Sequence, residues 1–189
     1  METKNIMIVG VGGQGTLLTS RILGDITVDA GYDVKLSEVH GMAQRGGSVV
    51  TFVRYGENVA EPIVEEGHAD VLIAFEKLEA LRYAHFLGPN GVIIVNDWRN
   101  DPITVVTGAA NYPENIIEIL SEKYQVYSMN TMDEAKKLGN LKVFNVIILG
   151  LAARYMDFKK ETWLKVIEKR VPPKTIEINK RAFLLGYES

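Results

Sequence analysis

The sequence contains no cysteine among its 189 residues. Disulfides are therefore excluded, and iron–sulfur clusters of the ordinary kind are not expected, because cysteine thiolates hold these clusters. Histidine is almost as scarce, with His40, His68 and His85 alone, and no HExxH motif is present, so we expect no metal site in this chain. If the protein takes part in electron transfer, the metal centres belong to another chain.

Long hydrophobic runs and a strong net charge are also missing. No stretch approaches the roughly 20 apolar residues that are needed to span a bilayer. The first residues lack the apolar core and the cleavage site of a signal peptide. The net charge of -3 does not favour a nucleic acid or a membrane surface as partner. We therefore expect a cytoplasmic protein that binds neither.

The sequence does contain an alternation of apolar runs and amphipathic segments. Runs rich in apolar or β-branched residues predict strands at 5–9, 33–38, 48–55, 70–75, 92–96 and 125–129. Apolar residues at helical spacing predict helices at 14–30, 76–87, 113–124, 131–138, 143–156, 161–170 and 175–186. A turn is predicted at 88–91. This order predicts an α/β fold, a single Rossmann-like layered domain over residues 1–189 with a largely parallel sheet and a helical C-terminal tail.

A glycine-rich turn lies between the first strand and the first helix. Its residues, Gly10, Gly12, Gly13, Gln14 and Gly15, match the pattern GxGxxG. Glycines allow a tight turn and the close approach of an anion, and the helix N-terminus offers free N–H groups with a partial positive charge. The turn is therefore a candidate phosphate or nucleotide site. The alternative is a turn that packs the helix on the sheet or contacts a partner. A P-loop is excluded because GK[ST] is absent.

Glu38 ends the second predicted strand. In a dinucleotide-binding fold an acidic residue at this place binds the ribose of NAD or FAD. Together with the glycine turn, Glu38 leaves open a second interpretation, a stand-alone NAD- or FAD-binding dehydrogenase.

The loop that follows, residues 39–47, places His40, Gln44, Arg45 and Gly46 among further glycines. Loops at the carboxyl ends of neighbouring strands converge on one crevice, so we expect this loop to meet the glycine turn. An arginine there can pair with a carboxylate or phosphate through two N–H groups, and a histidine can relay a proton. These residues are candidates for a ligand site or, equally, for satisfying carbonyl groups within a long loop or facing a partner chain. No catalytic residue is assigned, because no nucleophile or paired acid is nearby.

Four segments together resemble a known family over essentially the whole chain. They are VGVGGQG, EVHGMAQRGGSV, ADVLIAFEKLEALR and INKRAFLLGYE, and they are similar to the gamma-type domain of the two-oxoacid:ferredoxin oxidoreductases. The loop HGMAQRGG is similar to the indolepyruvate branch, in which this domain is a separate small (beta) subunit.

The resemblance implies a reaction. An aryl pyruvate such as indolepyruvate is decarboxylated on thiamine diphosphate, electrons pass through [4Fe-4S] clusters to ferredoxin, and the acyl group passes to coenzyme A. Thiamine diphosphate and the clusters are expected on a large (alpha) subunit, so this chain is expected to be inactive alone. The resemblance places the glycine turn and residues His40, Gln44, Arg45 and Gly46 toward the large subunit or coenzyme A. A non-catalytic scaffold module is a further alternative.

Overall fold

The computed structural model describes residues 3–41 and 46–189. The strands are β1 (Lys4–Val11), β2 (Asp33–His40), β3 (Ser48–Gly56), β4 (Ala69–Ala74), β5 (Leu87–Asn96) and β6 (Gln125–Met129). The helices are α1 (Thr16–Asp29), α2 (Lys77–Tyr83), α3 (Ile103–Val106), α4 (Ile116–Ser121), α5 (Thr131–Lys137), α6 (Phe144–Ala153), α7 (Lys160–Arg170) and α8 (Ile176–Tyr187). The α/β class and the helical C-terminal tail are confirmed.

The strands that the structure describes form one sheet in the order β2-β3-β1-β4-β5-β6. β3 is antiparallel to both of its neighbours, β1 and β2, and the pairs β1–β4, β4–β5 and β5–β6 are parallel. The largely parallel sheet is thus confirmed. Five strands end at one edge of the sheet, which we name the carboxyl edge, and β3 begins there. We name the opposite edge the amino edge.

Helices cover both faces of the sheet, because successive side chains of a buried strand point to opposite faces. In β1, Ile6 and Ile8 pack with α1, α6, α7 and α8. Met7 and Val9 pack on the other face with α2 and α4. The chain therefore buries a separate apolar core on each face, and the loops at the carboxyl edge rest on rigid elements.

Helix α6 is the apolar segment in the centre of the tail. All of its residues except Phe144 are buried, which confirms the predicted core helix. α6 packs on α8 at close range through glycines, since a Cβ on Gly150 would lie 2.1 Å from the Phe183 carbonyl oxygen. No helix within the described residues is long and apolar enough to cross a membrane.

The turn predicted at residues 88–91 is part of β5. Ala69 pairs with Leu87 and Val71 pairs with Val92, so these four residues of β5 bulge opposite one residue of β4. A Cβ on Gly91 would lie 2.6 Å from the Ala69 carbonyl oxygen, which shows how closely the bulge follows the neighbouring strand. The turn prediction was wrong because pairing with β4 absorbs the glycines into a strand.

Candidate functional site

The glycine turn joins β1 to α1 at the carboxyl edge. The Gln14 N–H donates to the Val11 carbonyl oxygen at 3.1 Å, and the Val11 N–H donates to the Gln14 side-chain Oε1 at 2.7 Å. The Gln14 side-chain oxygen therefore closes the turn. A Cβ on Gly10 would lie 2.8 Å from that oxygen and 3.0 Å from the Cβ of Phe75, so residue 10 has room only for glycine.

The turn leaves main-chain donors free at the start of α1. Gly13 and Gly15 have φ values of 98° and 91°, in the left-handed region that favours glycine. Gly15 is the N-cap and provides no side-chain cap, and the first turn of α1 holds no acidic residue. The N–H groups of Thr16 and Leu17 make no hydrogen bond to another described residue. A helix N-terminus with this donor set attracts an anion.

The second loop reaches the glycine turn at Gly47. The Gly12 N–H donates to the Gly47 carbonyl oxygen at 3.0 Å, and the Gly41 N–H donates to the Ser48 carbonyl oxygen at 3.1 Å. The expectation that the two loops meet is confirmed at this contact. Gly46, with a φ of 76°, is next to it in the chain. Gln44 and Arg45 lie outside the described residues.

Glu38 does not take the place of a ribose-binding acid. β3 separates β2 from β1, so Glu38 is two strand spacings, about 10 Å, from β1. Its oxygens are used locally, since Oε2 accepts from the Thr51 hydroxyl at 3.0 Å and Oε1 pairs with His40 Nε2 at 2.9 Å. The ribose-acid prediction was wrong because the antiparallel β3 occupies the position beside β1 where a dinucleotide fold places the acid-bearing strand.

A buried carboxylate that the sequence argument did not identify lies beside the second loop. Glu79 of α2 is 2% exposed and accepts from the hydroxyl of Ser48 at 2.5 Å and from Arg82 at 2.8 Å. The Ser48 hydroxyl also contacts the Tyr83 hydroxyl at 3.2 Å. Burial raises the pKa of Glu79, and the contacts with Ser48 and Arg82 oppose that rise. Glu79 therefore ties the start of β3 to α2.

A second buried carboxylate, Glu76, forms the N-cap of α2. It accepts from the Glu79 N–H at 3.1 Å, from the Asn100 N–H at 3.1 Å and from the Tyr112 hydroxyl at 2.5 Å. Burial, and then the hydrogen bond to Glu76, raises the pKa of Tyr112. Glu76 thus ties the segment after β5 to α2. The available signal was a pair of glutamates three residues apart directly after a buried strand, a spacing typical of helix caps.

The remaining histidines lie away from the glycine turn. The side chains of His68 and His85 are 65% and 51% exposed and pair with surface glutamates. His85 falls within the helix predicted over 76–87. α2 ends at Tyr83 and a 3₁₀ turn follows, which rotates His85 outward. In residues 3–41 and 46–189, no His, Asp and Glu side chains group closely enough to hold a metal ion.

A cavity lies at the amino edge of the sheet. It has a volume of about 580 Å³ and is bordered by the starts of β1 and β4, the bulge of β5 and residues 155–157. Asp70 in its wall accepts from the Asn5 N–H at 2.8 Å and lies 3.7 Å from the Lys4 ammonium. None of the glycine-turn residues lines this cavity. The glycine turn is partly exposed, since Gly13 is exposed and Gly12, Gln14 and Gly15 are half-buried.

Comparison with known proteins gives the family. Residues 5–189 match the model of the pyruvate ferredoxin/flavodoxin oxidoreductase family. The indolepyruvate oxidoreductase subunit IorB of Thermococcus kodakarensis is 40% identical, with 100% of this chain and 96% of that protein covered. The subunit of the same name from Archaeoglobus fulgidus is 42% identical, with 97% and 93% covered.

A solved structure agrees in fold. The gamma subunit of a keto/oxoacid ferredoxin oxidoreductase from Geobacter sulfurreducens superposes with a TM-score of 0.73 at 26% identity, covering 98% of this chain and 96% of that one. The resemblance to this family is thereby confirmed over the full length, and the relatives at about 40% identity are indolepyruvate oxidoreductase subunits. The chain belongs to the pyruvate ferredoxin/flavodoxin oxidoreductase family.

Proposed function

We propose that this chain is the small subunit of a complex that oxidatively decarboxylates aryl pyruvates such as indolepyruvate. Its partner is a large subunit with thiamine diphosphate and [4Fe-4S] clusters, ferredoxin takes the electrons, and coenzyme A takes the acyl group. The observation that carries the proposal is the full-length similarity to indolepyruvate oxidoreductase subunits at about 40% identity. The proposed compartment is the cytoplasm.

The chemistry of this chain supports a division of labour. Iron–sulfur clusters need thiolate ligands, and the sequence has no cysteine, so its residues do not fit the clusters. The difficult chemistry then belongs to groups on the large subunit. This chain contributes binding, orientation and the exclusion of water at the crevice, and it is inactive alone.

The role of the carboxyl edge follows from its donors. The free N–H groups at the start of α1 suit a phosphate of coenzyme A, because coenzyme A carries several phosphates and an anion is stabilised at a helix N-terminus. Gly10, Gly12, Gly13 and Gly15, whose turn Gln14 closes, shape the backbone that presents these N–H groups. His40, Gln44, Arg45 and Gly46 face the same ligand or the large subunit.

Reconstitution tests the proposed function. The large subunit is purified with and without this chain, and the indolepyruvate-dependent reduction of ferredoxin is measured with and without coenzyme A. We expect activity only in the assembled complex and only with coenzyme A. Full activity of either chain alone would overturn the proposal.

Arg45 gives a finer test of the ligand role. We expect Arg45→Ala to raise the KM for coenzyme A in the assembled complex about tenfold, because a hydrogen bond to a charged group is worth about 1.5–3 kcal/mol. The Kd between the subunits is measured in parallel. An unchanged KM with weaker assembly would assign Arg45 to the interface instead.

Ligand-dependent stability separates this proposal from a dinucleotide enzyme. NAD, FAD and coenzyme A are each added to the purified chain and thermal unfolding is followed. A ligand at about 100 times its Kd adds roughly 2.7 kcal/mol to stability. Stabilisation by NAD or FAD would support a stand-alone dehydrogenase. The location of Glu38, two strands away from β1, argues against that interpretation. Full tolerance of loop substitutions in the complex would support a scaffold module.

A further inference from the structure

Asn145 is the one polar residue in the otherwise apolar helix α6, whose sequence is FNVIILGLAA. It lies in the first turn of that helix and is 7% exposed. A buried amide normally has its oxygen and nitrogen in hydrogen bonds, because an unpaired buried polar atom lowers stability. Its presence in this helix therefore calls for a physical reason.

The Asn145 side chain has no partner that would provide this reason. Its Oδ1 is buried and accepts no hydrogen bond from any described residue. Its Nδ2 also makes no hydrogen bond to the part of the chain that the structure describes, but unlike Oδ1 it is not fully buried. By contrast Asn179 in α8, also 7% exposed, donates from Nδ2 to the Thr175 carbonyl oxygen at 2.8 Å.

The Asn145 amide lies against the glycine turn. A Cβ built on Gly15 would be 2.3 Å from Asn145 Nδ2 and 3.2 Å from Asn145 Cγ. Residue 15 must therefore be glycine for a second reason besides its φ of 91°, namely the space taken by this amide. The contact brings a side-chain donor to the point where α1 begins.

Three donors meet at the start of α1, on the side of Gly15 where the Asn145 amide nitrogen lies; the Oδ1 of the same amide is an acceptor. Two of them are the main-chain N–H groups of Thr16 and Leu17, in the uncapped first turn of α1. The third is the side-chain amide nitrogen of Asn145. The first turn of a helix stabilises an anion, because its N–H groups are unsatisfied and the helix dipole is positive there. A phosphate group satisfies them together.

We propose that Asn145 is a ligand-contact residue of the glycine turn and donates from its amide to a phosphate held at the N-terminus of α1. The inference rests on the proposed function for the source of that phosphate, which is coenzyme A. Asn145 Nδ2, which has no acceptor among the described residues, is thereby given one when the ligand binds.

The test uses the assembled complex with Asn145→Leu, which has a similar volume and no donor. The KM for coenzyme A rises about tenfold, and the KM for indolepyruvate is unchanged, because the contact involves one substrate only. Asn179→Leu is the matched control and leaves both KM values unchanged. If Asn145→Leu does not assemble, the pair Asn145→Ala and Asn179→Ala is compared in the same way. A coenzyme A KM equal to that of the control overturns the assignment.

Dephosphocoenzyme A locates the contact. If the rise in KM persists with this substrate, Asn145 contacts the pyrophosphate, and if the rise disappears, Asn145 contacts the 3′-phosphate. Either result supports a phosphate contact.

Equilibrium titration of the full chain with inorganic pyrophosphate tests the anion contact without the reaction. Wild type binds, and Asn145→Leu binds about tenfold more weakly. Equal binding by the two chains, or none by either, counts against the assignment. An inactive wild-type complex with normal pyrophosphate binding would instead count against the proposed function alone.

Discussion

Two pairs of positions in this chain require glycine for opposite physical reasons. Gly150 and Gly186 lie in α6 and α8, where a Cβ on Gly186 would be 1.9 Å from the Ile147 carbonyl oxygen. Gly13 and Gly15 lie in the glycine turn, where both adopt a positive φ and Gly13 meets nothing within 4 Å. The first pair allows two backbones to touch, and the second allows one backbone to turn.

One pair of glycines contributes to stability, and the other shapes the candidate ligand site. The contact between α6 and α8 is buried, so its glycines serve the packing of the tail. The glycine turn is only partly exposed, and it leaves N–H groups at the start of α1 without a partner among the described residues. The motif with the stronger resemblance to a ligand site is thus the one whose glycines contribute less to packing.

Gly186→Ala should have the largest effect on stability. The added methyl group overlaps the Ile147 carbonyl, and we expect a loss of about 3 kcal/mol in the free energy of unfolding by urea. Gly24→Ala in α1 is the control. Its Cβ would be 4.0 Å from the nearest atom, so a gain of about 0.5–1 kcal/mol is expected from helix propensity. Similar effects at the two positions would refute the close-approach argument.

Glu76→Gln tests whether the polar contacts of Glu76 stabilise the carboxyl edge, as close packing stabilises the helical tail. The amide cannot accept from all three donors that Glu76 serves, so we expect a loss of about 2 kcal/mol in the free energy of unfolding. Glu122→Gln, at an exposed position, should stay within about 0.5 kcal/mol of wild type. A neutral Glu76→Gln would mean that the anchor is dispensable.

Gly15→Ala and Gly13→Ala distinguish two constraints within the glycine turn, the backbone conformation and the contact with Asn145. Both alanines are strained by a positive φ, which costs about 1 kcal/mol. At residue 15 the methyl group also meets the Asn145 amide, so we expect about 2 kcal/mol in total there. Unfolding by urea measures both. A larger loss at Gly13 would contradict the placement of Asn145.

The smallest effect is a pH dependence at Glu79. Burial raises its pKa in the folded state, so the folded protein holds the proton more tightly than the unfolded chain does. Wild type should therefore lose stability as pH rises from 4.5, the ordinary value, through the raised folded value. Glu79→Gln lacks this loss because the amide does not titrate. The free energy of unfolding of the variant should therefore rise relative to that of wild type as the pH increases through this range. The free energy of unfolding by urea is measured for both proteins at each pH. A difference between them that stays constant with pH would contradict the prediction.

Part of the candidate site was predictable from local sequence and part was not. The glycine turn was identified because GxGxxG between a strand and a helix constrains φ within six residues. Glu76 and Glu79 were missed because their partners, Tyr112 and Ser48, are more than 30 residues away in the chain. Asn145 was missed because an asparagine within an apolar helix has no pattern of its own, and its neighbour Gly15 is 130 residues distant.

The sequence by itself determined the α/β class, the buried strands, the helical tail and the family, since these depend on periodicity and on motifs that are local in the chain. Only the tertiary structure decided that β3 inserts between β1 and β2, that Glu38 is thereby removed from the glycine turn, and that Asn145 lies against Gly15. The physical reason is that strand order and helix contacts are set by pairing and packing between distant segments. Local propensity carries no information about which distant segment becomes the neighbour.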